Sequence, residues 1–149
     1  MVKKLFYEDV EVGMDIPILV KHPSTRQLVK WAGVSGDLSE VHYDKDFAQA
    51  SGLPGVIAQG GLCASFLGQL MVDWIGEEGT LKKLGCSYRS LNFPGKDLIC
   101  KGKVTSKYAK GNEHYMECEI WAENTRGERT TQGNALVILP SKEVKQKRG

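Results

Sequence analysis

An acid and a base sit close together early in this chain. Asp37 and His42 lie five positions apart in the Gly/Ser/Asp-rich segment GDLSEVHYD. A carboxylate only accepts hydrogen bonds, whereas a neutral imidazole accepts at one nitrogen and donates at the other, so the two can hold one water between them. With an unperturbed pKa near 6.5, imidazole serves as a base near neutrality. Downstream, Gly52, Pro54 and Gly55 lead into Gly60-Gly61, where a strongly apolar run begins. A helix that starts there presents unpaired backbone N–H groups at the positive end of its dipole. Glycine leaves that backbone unobstructed. Acid, base and N–H donor are the parts needed to activate water beside a polarised carbonyl.

The elements that must position these groups follow from local pattern. Ile16-Pro17-Ile18-Leu19-Val20 reads as a strand that Pro17 confines to an edge or a strand start. Ser24 or Thr25 caps a short helix over Arg26 to Ala32, with Leu28, Val29, Trp31 and Ala32 as its buried side and Gly33 to Gly36 as its end. A second short helix runs from Asp44 or Lys45 to Ser51, stopped by Gly52. The third, Gly61 to Ile75, is apolar nearly all round, so it should be wrapped on most sides.

Beyond Gly79 the pattern becomes that of strands. Turn signals at Asn92-Phe93-Pro94-Gly95, Lys110-Gly111-Asn112 and Asn124-Thr125-Arg126-Gly127 divide the chain. The four runs they bound are about a dozen residues each, against about 5–6 for a typical strand. Leu98, Cys100, Gly102 and Val104 alternate with polar neighbours, as do Met116, Cys118, Ile120 and Ala122. Short connections between long strands predict an antiparallel meander. One buried helix followed by a curved antiparallel sheet gives an α+β fold in which the sheet wraps the helix. Five strands leave an edge open, and pairing two copies would cover it, so at least a dimer is expected.

The 149 residues are read as one domain, residues 1–149, with a basic, aperiodic, frayed tail from about 141 to 149. Hydrophobic residues at 41%, charged residues at 26% and a net charge of +2 call for neither nucleic acid nor a membrane surface. The longest apolar stretch, Leu62 to Ile75, is interrupted by Ser65, Gln69 and Asp73 and falls short of the ~20 residues that cross a bilayer. Cys63, Cys86, Cys100 and Cys118 form no C-x-x-C pair, so neither a metal site nor a disulfide framework is expected, and reduced thiols point to a cytoplasmic protein.

The segment GDLSEVHYDKDFAQASGLPGVIAQGGL resembles the signature of the MaoC-like hot-dog dehydratases, approximately G-D-x-N-P-x-H-x-D, an F-A segment, a G-L-P-G turn, then A-H-G-M. Tyr88 to Gly95 is similar to that family's R-F-x-x-P-x-x-P-G strand and turn, and Asn124 to Pro140 to its final strand pair. The family includes (R)-specific enoyl-CoA hydratases and (3R)-hydroxyacyl-thioester dehydratases. The resemblance implies a hot-dog fold, dimeric or larger, that takes a CoA or acyl-carrier thioester near the subunit interface. It assigns Asp37 and His42 to the catalytic acid/base positions and Gly60 to the position whose N–H serves the thioester oxygen. Gly61, Tyr43 and Ser65 are expected to contribute to substrate binding. The sequence departs from the family pattern at Ser39-Glu40, where Asn-Pro is usual, at Gln59 in place of His, and at Gly68, where some hydratases carry Ser.

The expected function is a reversible hydro-lyase acting on a 2-enoyl or (3R)-3-hydroxyacyl thioester, with no metal or redox cofactor. The alternatives are a non-catalytic acyl-thioester-binding subunit that needs a heteromeric dehydratase partner, motivated by the three departures, and a hot-dog thioesterase. Other chemistry-bearing residues have ordinary structural readings: Cys63 as a buried apolar thiol, His22 and His114 as surface or strand residues. Tyr43 lines a pocket or packs on the second helix. Arg89 and Lys96 meet CoA phosphates or are simply solvated.

Overall fold

A computed structural model of the chain describes residues 4–143. In order it contains β1 (Asp15–Lys21), α1 (Thr25–Ser35), α2 (Lys45–Ala50), α3 (Gly60–Ile75), β2 (Thr80–Tyr88), β3 (Leu98–Lys110), β4 (Glu113–Glu123) and β5 (Arg129–Leu139). The strands form one antiparallel sheet in the order β1-β3-β4-β5-β2. Every pairing carries a register irregularity, at Ile16/Leu19, Leu81/Lys83, Val104/Ser106 and Ala122/Glu123. Bulges bend a strand and increase its twist, which lets the sheet curl around α3.

The core is the meeting of that helix with the inner sheet face. Leu62, Phe66, Leu67, Leu70, Met71 and Ile75 of α3 are buried with Cys100, Val104, Met116, Cys118, Ile120, Val137 and Leu139. Full burial of each large aliphatic side chain is worth about 1.5–3 kcal/mol. The alternation expected in β3 and β4 is observed, with Leu98, Cys100, Gly102 and Val104 inward on one strand and Met116, Cys118, Ile120 and Ala122 on the other. Gly95, Gly111 and Gly127 sit in the turns between strands at positive φ.

Four expectations need correction. The four long strands are not one meander, because β2 pairs with β5 and the Ser90-to-Asp97 connection crosses the end of the sheet before β3 begins. Loops of that length can span several strands, which a two-residue hairpin cannot. Within the expected end of α1, Gly33 to Gly36, it is Gly36 at φ 78° that stops the helix after Ser35, but Val29, expected on its buried side, lies on its exposed side. Helix α3 is not wrapped on most sides: Gly61, Ser65, Gln69, Val72 and Asp73 form an open stripe at helical spacing. Its apolar flank is filled by the sheet, and among the described residues no second layer covers the other. Finally, the chain is still docked at Ser141 and Lys142, whose hydroxyl and backbone N–H both donate to the Glu8 carboxylate. The remainder of the expected tail, 144–149, lies outside the described residues.

Candidate active site

Helix α1 delivers the acid. Ser24 caps it by accepting from the Gln27 N–H at 3.2 Å, and the left-handed Gly36 turns the chain sharply at its other end. Just beyond that turn, the Asp37 N–H donates to Ser35 Oγ at 3.2 Å, and the same hydroxyl donates to the Trp31 carbonyl at 2.7 Å. The loop is braced from its far side by Tyr43, whose hydroxyl donates to the Leu38 carbonyl at 2.9 Å. This bond gives Tyr43 a clear structural task. Its ring also lines a hollow of about 450 Å³ with Thr25, Lys45, Val56, Phe93 and Pro94.

His42 ends a single 3₁₀ turn, Glu40–His42. Its imidazole is fixed by the segment entering α3: Nδ1 is 2.7 Å from the Ile57 carbonyl oxygen, while the Ile57 N–H donates to the Val41 carbonyl at 3.0 Å. A carbonyl has no proton to give, so Nδ1 must be the donor. In the neutral ring the lone pair therefore sits on Nε2, 3.5 Å from Asp37 Oδ2. That is long for a direct hydrogen bond, and a water seated beside both atoms could donate one proton to each. The histidine side chain is only 10% exposed and the aspartate 46%, so the base is set inward and the acid faces the opening.

Three residues after the Ile57 anchor, α3 begins. Three residues of extended chain span at most about 10–11 Å, so the anchored imidazole and the helix start are neighbours by connectivity. The Ala58 N–H donates to the Asn92 carbonyl at 2.8 Å, and the first helical bond runs from the Cys63 N–H to the Gln59 carbonyl at 3.2 Å. Gln59 is the cap residue, but its side chain does not cap. Its amide nitrogen donates instead to the Leu28 carbonyl of α1 at 2.8 Å, leaving a buried, unpartnered Oε1. Gly60 and Gly61 N–H accordingly have no acceptor among the described residues. These are the free donors anticipated at a helix start.

The bare glycine positions are not bare space. A Cβ on Gly60 would stand 2.9 Å from the Tyr88 ring, and one on Gly61 would stand 3.4 Å from the Trp31 indole. Ser65 directs its hydroxyl back to the Leu62 carbonyl at 2.7 Å, one turn along the open face of α3. Gly68 has open space where a side chain would go. Cys63 is buried beside Asn92 Nδ2 at 3.4 Å. Burial pushes its thiol up to about 11, which removes it as a nucleophile near neutrality.

Arg89 and Lys96 lie elsewhere. Arg89 and Lys83 border a cavity of about 880 Å³ over β2, β4 and β5 that includes neither Asp37 nor His42. Lys96 and Arg126 border another of about 570 Å³. Three parts of the site had no sequence signal: the Ile57 carbonyl, which belongs to no side chain, and the Trp31 and Tyr88 rings, which reach the helix start from distant elements. No cluster of metal-ligating side chains occurs among the described residues, and no helix among them is long and apolar enough to cross a membrane.

A single helix cradled by a five-stranded antiparallel sheet defines the hot-dog fold. Residues 8–124 match the family model described as MaoC like domain, and the chain belongs to that family. It is similar in structure to R-hydratase PhaJ1 from Pseudomonas aeruginosa, with a TM-score of 0.85 and 23% identity over 95% of this chain and 89% of that one. The (R)-hydratase from A. caviae involved in PHA biosynthesis superposes with a TM-score of 0.82 and 22% identity, covering 89% and 99% of the two chains. In sequence, 100 residues are 28% identical to the fatty acid synthase beta subunit TOXC of Cochliobolus carbonum, spanning 62% of this chain and only 5% of that protein.

Proposed function

We propose that this protein catalyses the reversible addition of water across a 2-enoyl thioester, giving a (3R)-3-hydroxyacyl thioester carried on CoA or an acyl-carrier protein. The observation that carries the reading is the His42 ring, oriented by the Ile57 carbonyl at 2.7 Å so that Nε2 faces Asp37 Oδ2 at 3.5 Å. The (R)-hydratase names of the two solved structures agree with it.

In the forward direction the thioester oxygen is held by Gly60 N–H at the start of α3. A water between Asp37 and His42 gives one proton to Nε2 while its oxygen bonds to C3. The electron pair of the C2–C3 double bond moves toward the carbonyl, and the resulting enolate oxygen is stabilised by the N–H and the helix dipole. The imidazolium is stabilised by Asp37 on one side and the Ile57 carbonyl on the other. It returns its proton to C2 on the same face, so the atoms of one water are added and no metal or redox cofactor is required. Dehydration is the reverse sequence.

This reading includes a cytoplasmic protein working as a homodimer or larger homo-oligomer. Two features support association: the edge strand β2, paired on one side only, and the open stripe of α3. Incubation of the protein with a short 2-enoyl-CoA should bleach the conjugated-thioester absorbance and yield the R alcohol without releasing free CoA thiol. Release of thiol would indicate a thioesterase. Binding without either change, relieved by a second protein, would indicate a subunit of a heteromeric enzyme.

A further inference from the structure

The two aromatic rings that flank the start of α3 have an unusual chemical character in common. Tyr88 lies against Gly60 and Trp31 against Gly61, and each brings a hydrogen-bond donor, a phenol O–H and an indole N–H. With the free Gly60 and Gly61 N–H groups, this end of the helix is surrounded by donors. The part of the Tyr88 ring nearest Gly60 is the hydroxyl end: Cε2 and Cζ stand 2.9 Å, and Cε1 3.1 Å, from where a Gly60 Cβ would be. That ring sits at the end of an edge strand and is 55% exposed, so a ligand can reach it.

We propose that the Tyr88 hydroxyl is a second donor to the ligand oxygen held at Gly60, so that the thioester oxygen is bound between a backbone N–H and a phenol O–H. This inference rests on the hydratase reading and deepens its oxyanion site. A thioester carbonyl oxygen has two lone pairs and gains a third as it becomes an enolate, and one backbone N–H satisfies only one of them. The phenol keeps its proton across the working range: desolvation, then the neighbouring Cys86 thiol, raise its pKa above the ordinary tyrosine value. Cys86 lies two residues earlier in β2, on the same face of the strand. A thiol is at most a weak acceptor, so it would not compete with a thioester or enolate oxygen for the phenol proton. Gly60 is needed here for a second reason besides access, since any side chain would push the phenol away.

The test compares wild type with Tyr88→Phe, which keeps the ring and removes the hydroxyl. The substrate is crotonyl-CoA, and rates are read as kcat and KM separately. The carbonyl stretch of a bound, carbonyl-labelled saturated acyl-CoA is read by isotope-edited infrared spectroscopy. The expected result is a kcat lowered by about 10- to 100-fold, at or below the low end of the effect of removing one oxyanion donor. KM should change little, and the carbonyl band should move to higher frequency as one hydrogen bond is lost. A merely structural tyrosine would leave the band where it is. Tyr88→Phe with wild-type kcat and an unshifted band overturns this inference alone. A wild-type protein that turns over no enoyl-CoA overturns the hydratase reading and this inference together.

Discussion

His22 Nδ1 stands 2.6 Å from Asp97 Oδ1, whereas His42 Nε2 stands 3.5 Å from Asp37 Oδ2. By distance alone the first pair is the better formed. Its members, however, are 71% and 47% exposed, joined directly to each other on the surface. Exposed pairs of this kind contribute about 0–1 kcal/mol. In the second pair the ring is buried and its other nitrogen is committed to a main-chain carbonyl, which fixes the tautomer and directs a lone pair at the carboxylate. At 3.5 Å the two atoms are too far apart for a good direct hydrogen bond, and both are open to one water seated beside them. A histidine becomes a useful base through what holds its far side and what its near side faces, and the shorter of the two pairs marks neither.

The comparison can be broken at the site first. His42→Ala and Asp37→Asn should each lower the rate of enoyl-CoA hydration by about 10²- to 10⁴-fold, the range for loss of a general acid or base. Steady-state kinetics will show this as a fall in kcat with the protein still folded. A next, smaller effect is expected at the helix start. Gly60→Ala drives a methyl to 2.9 Å from the Tyr88 ring, so it should destabilise the fold by about 1–3 kcal/mol as an overpacked position. Adding Tyr88→Ala should recover most of that loss in urea titrations, a coupling diagnostic of direct contact. Gly61→Ala, with 3.4 Å to Trp31, should be tolerated far better.

Alkaline pH probes the core beneath the site. Burial raises Cys63 to about 11 and Cys100 and Cys118 to about 12. Because the folded chain holds these protons more tightly than the unfolded one, the unfolded state binds fewer protons above its own thiol pKa near 8.5–9. Stability is therefore full below pH 8.5 and falls as pH rises through 9 toward 11–12, by at most about 1.4 kcal/mol per unit per thiol. Urea midpoints measured across that range should decline, and Cys118→Ala should flatten the decline. The smallest effect belongs to the other histidine pair: His22→Ala and Asp97→Asn should leave turnover within about twofold and stability within about 1 kcal/mol of wild type.

Much of this arrangement is legible in the letters because its causes are local. Ser24 and Asp44 start α1 and α2 through side-chain caps, and Gly36 and Gly52 follow their ends at positive φ, which the lack of a side chain permits. Period-two burial in β3 and β4 follows directly from alternating residues. The spacing of Asp37 and His42 marks them as a pair. What the letters do not carry is long-range pairing. That β2 joins β5 depends on a crossing loop whose backbone contacts, such as Gly95 N–H to the Pro23 carbonyl at 2.8 Å, involve no distinctive side chain. The Ile57 carbonyl is invisible for the same reason, since every residue has one. Tyr88 looks like an ordinary strand aromatic until β2 is placed beside α3. Ser65, Gln69 and Asp73 recur every four residues and do mark the open stripe of α3, but the apolar letters around them, Val72 included, make the helix read as apolar nearly all round.

The most direct test of the central arrangement is the protonation pattern of His42, read by ¹⁵N NMR on histidine-labelled protein at mildly alkaline pH, with His42→Ala used to assign the signals. The geometry predicts a neutral ring with the proton on Nδ1, held by the Ile57 carbonyl, and an unprotonated Nε2 facing Asp37. A proton found on Nε2, with Nδ1 bare, would contradict the account, because the nitrogen beside the water could then no longer act as its base.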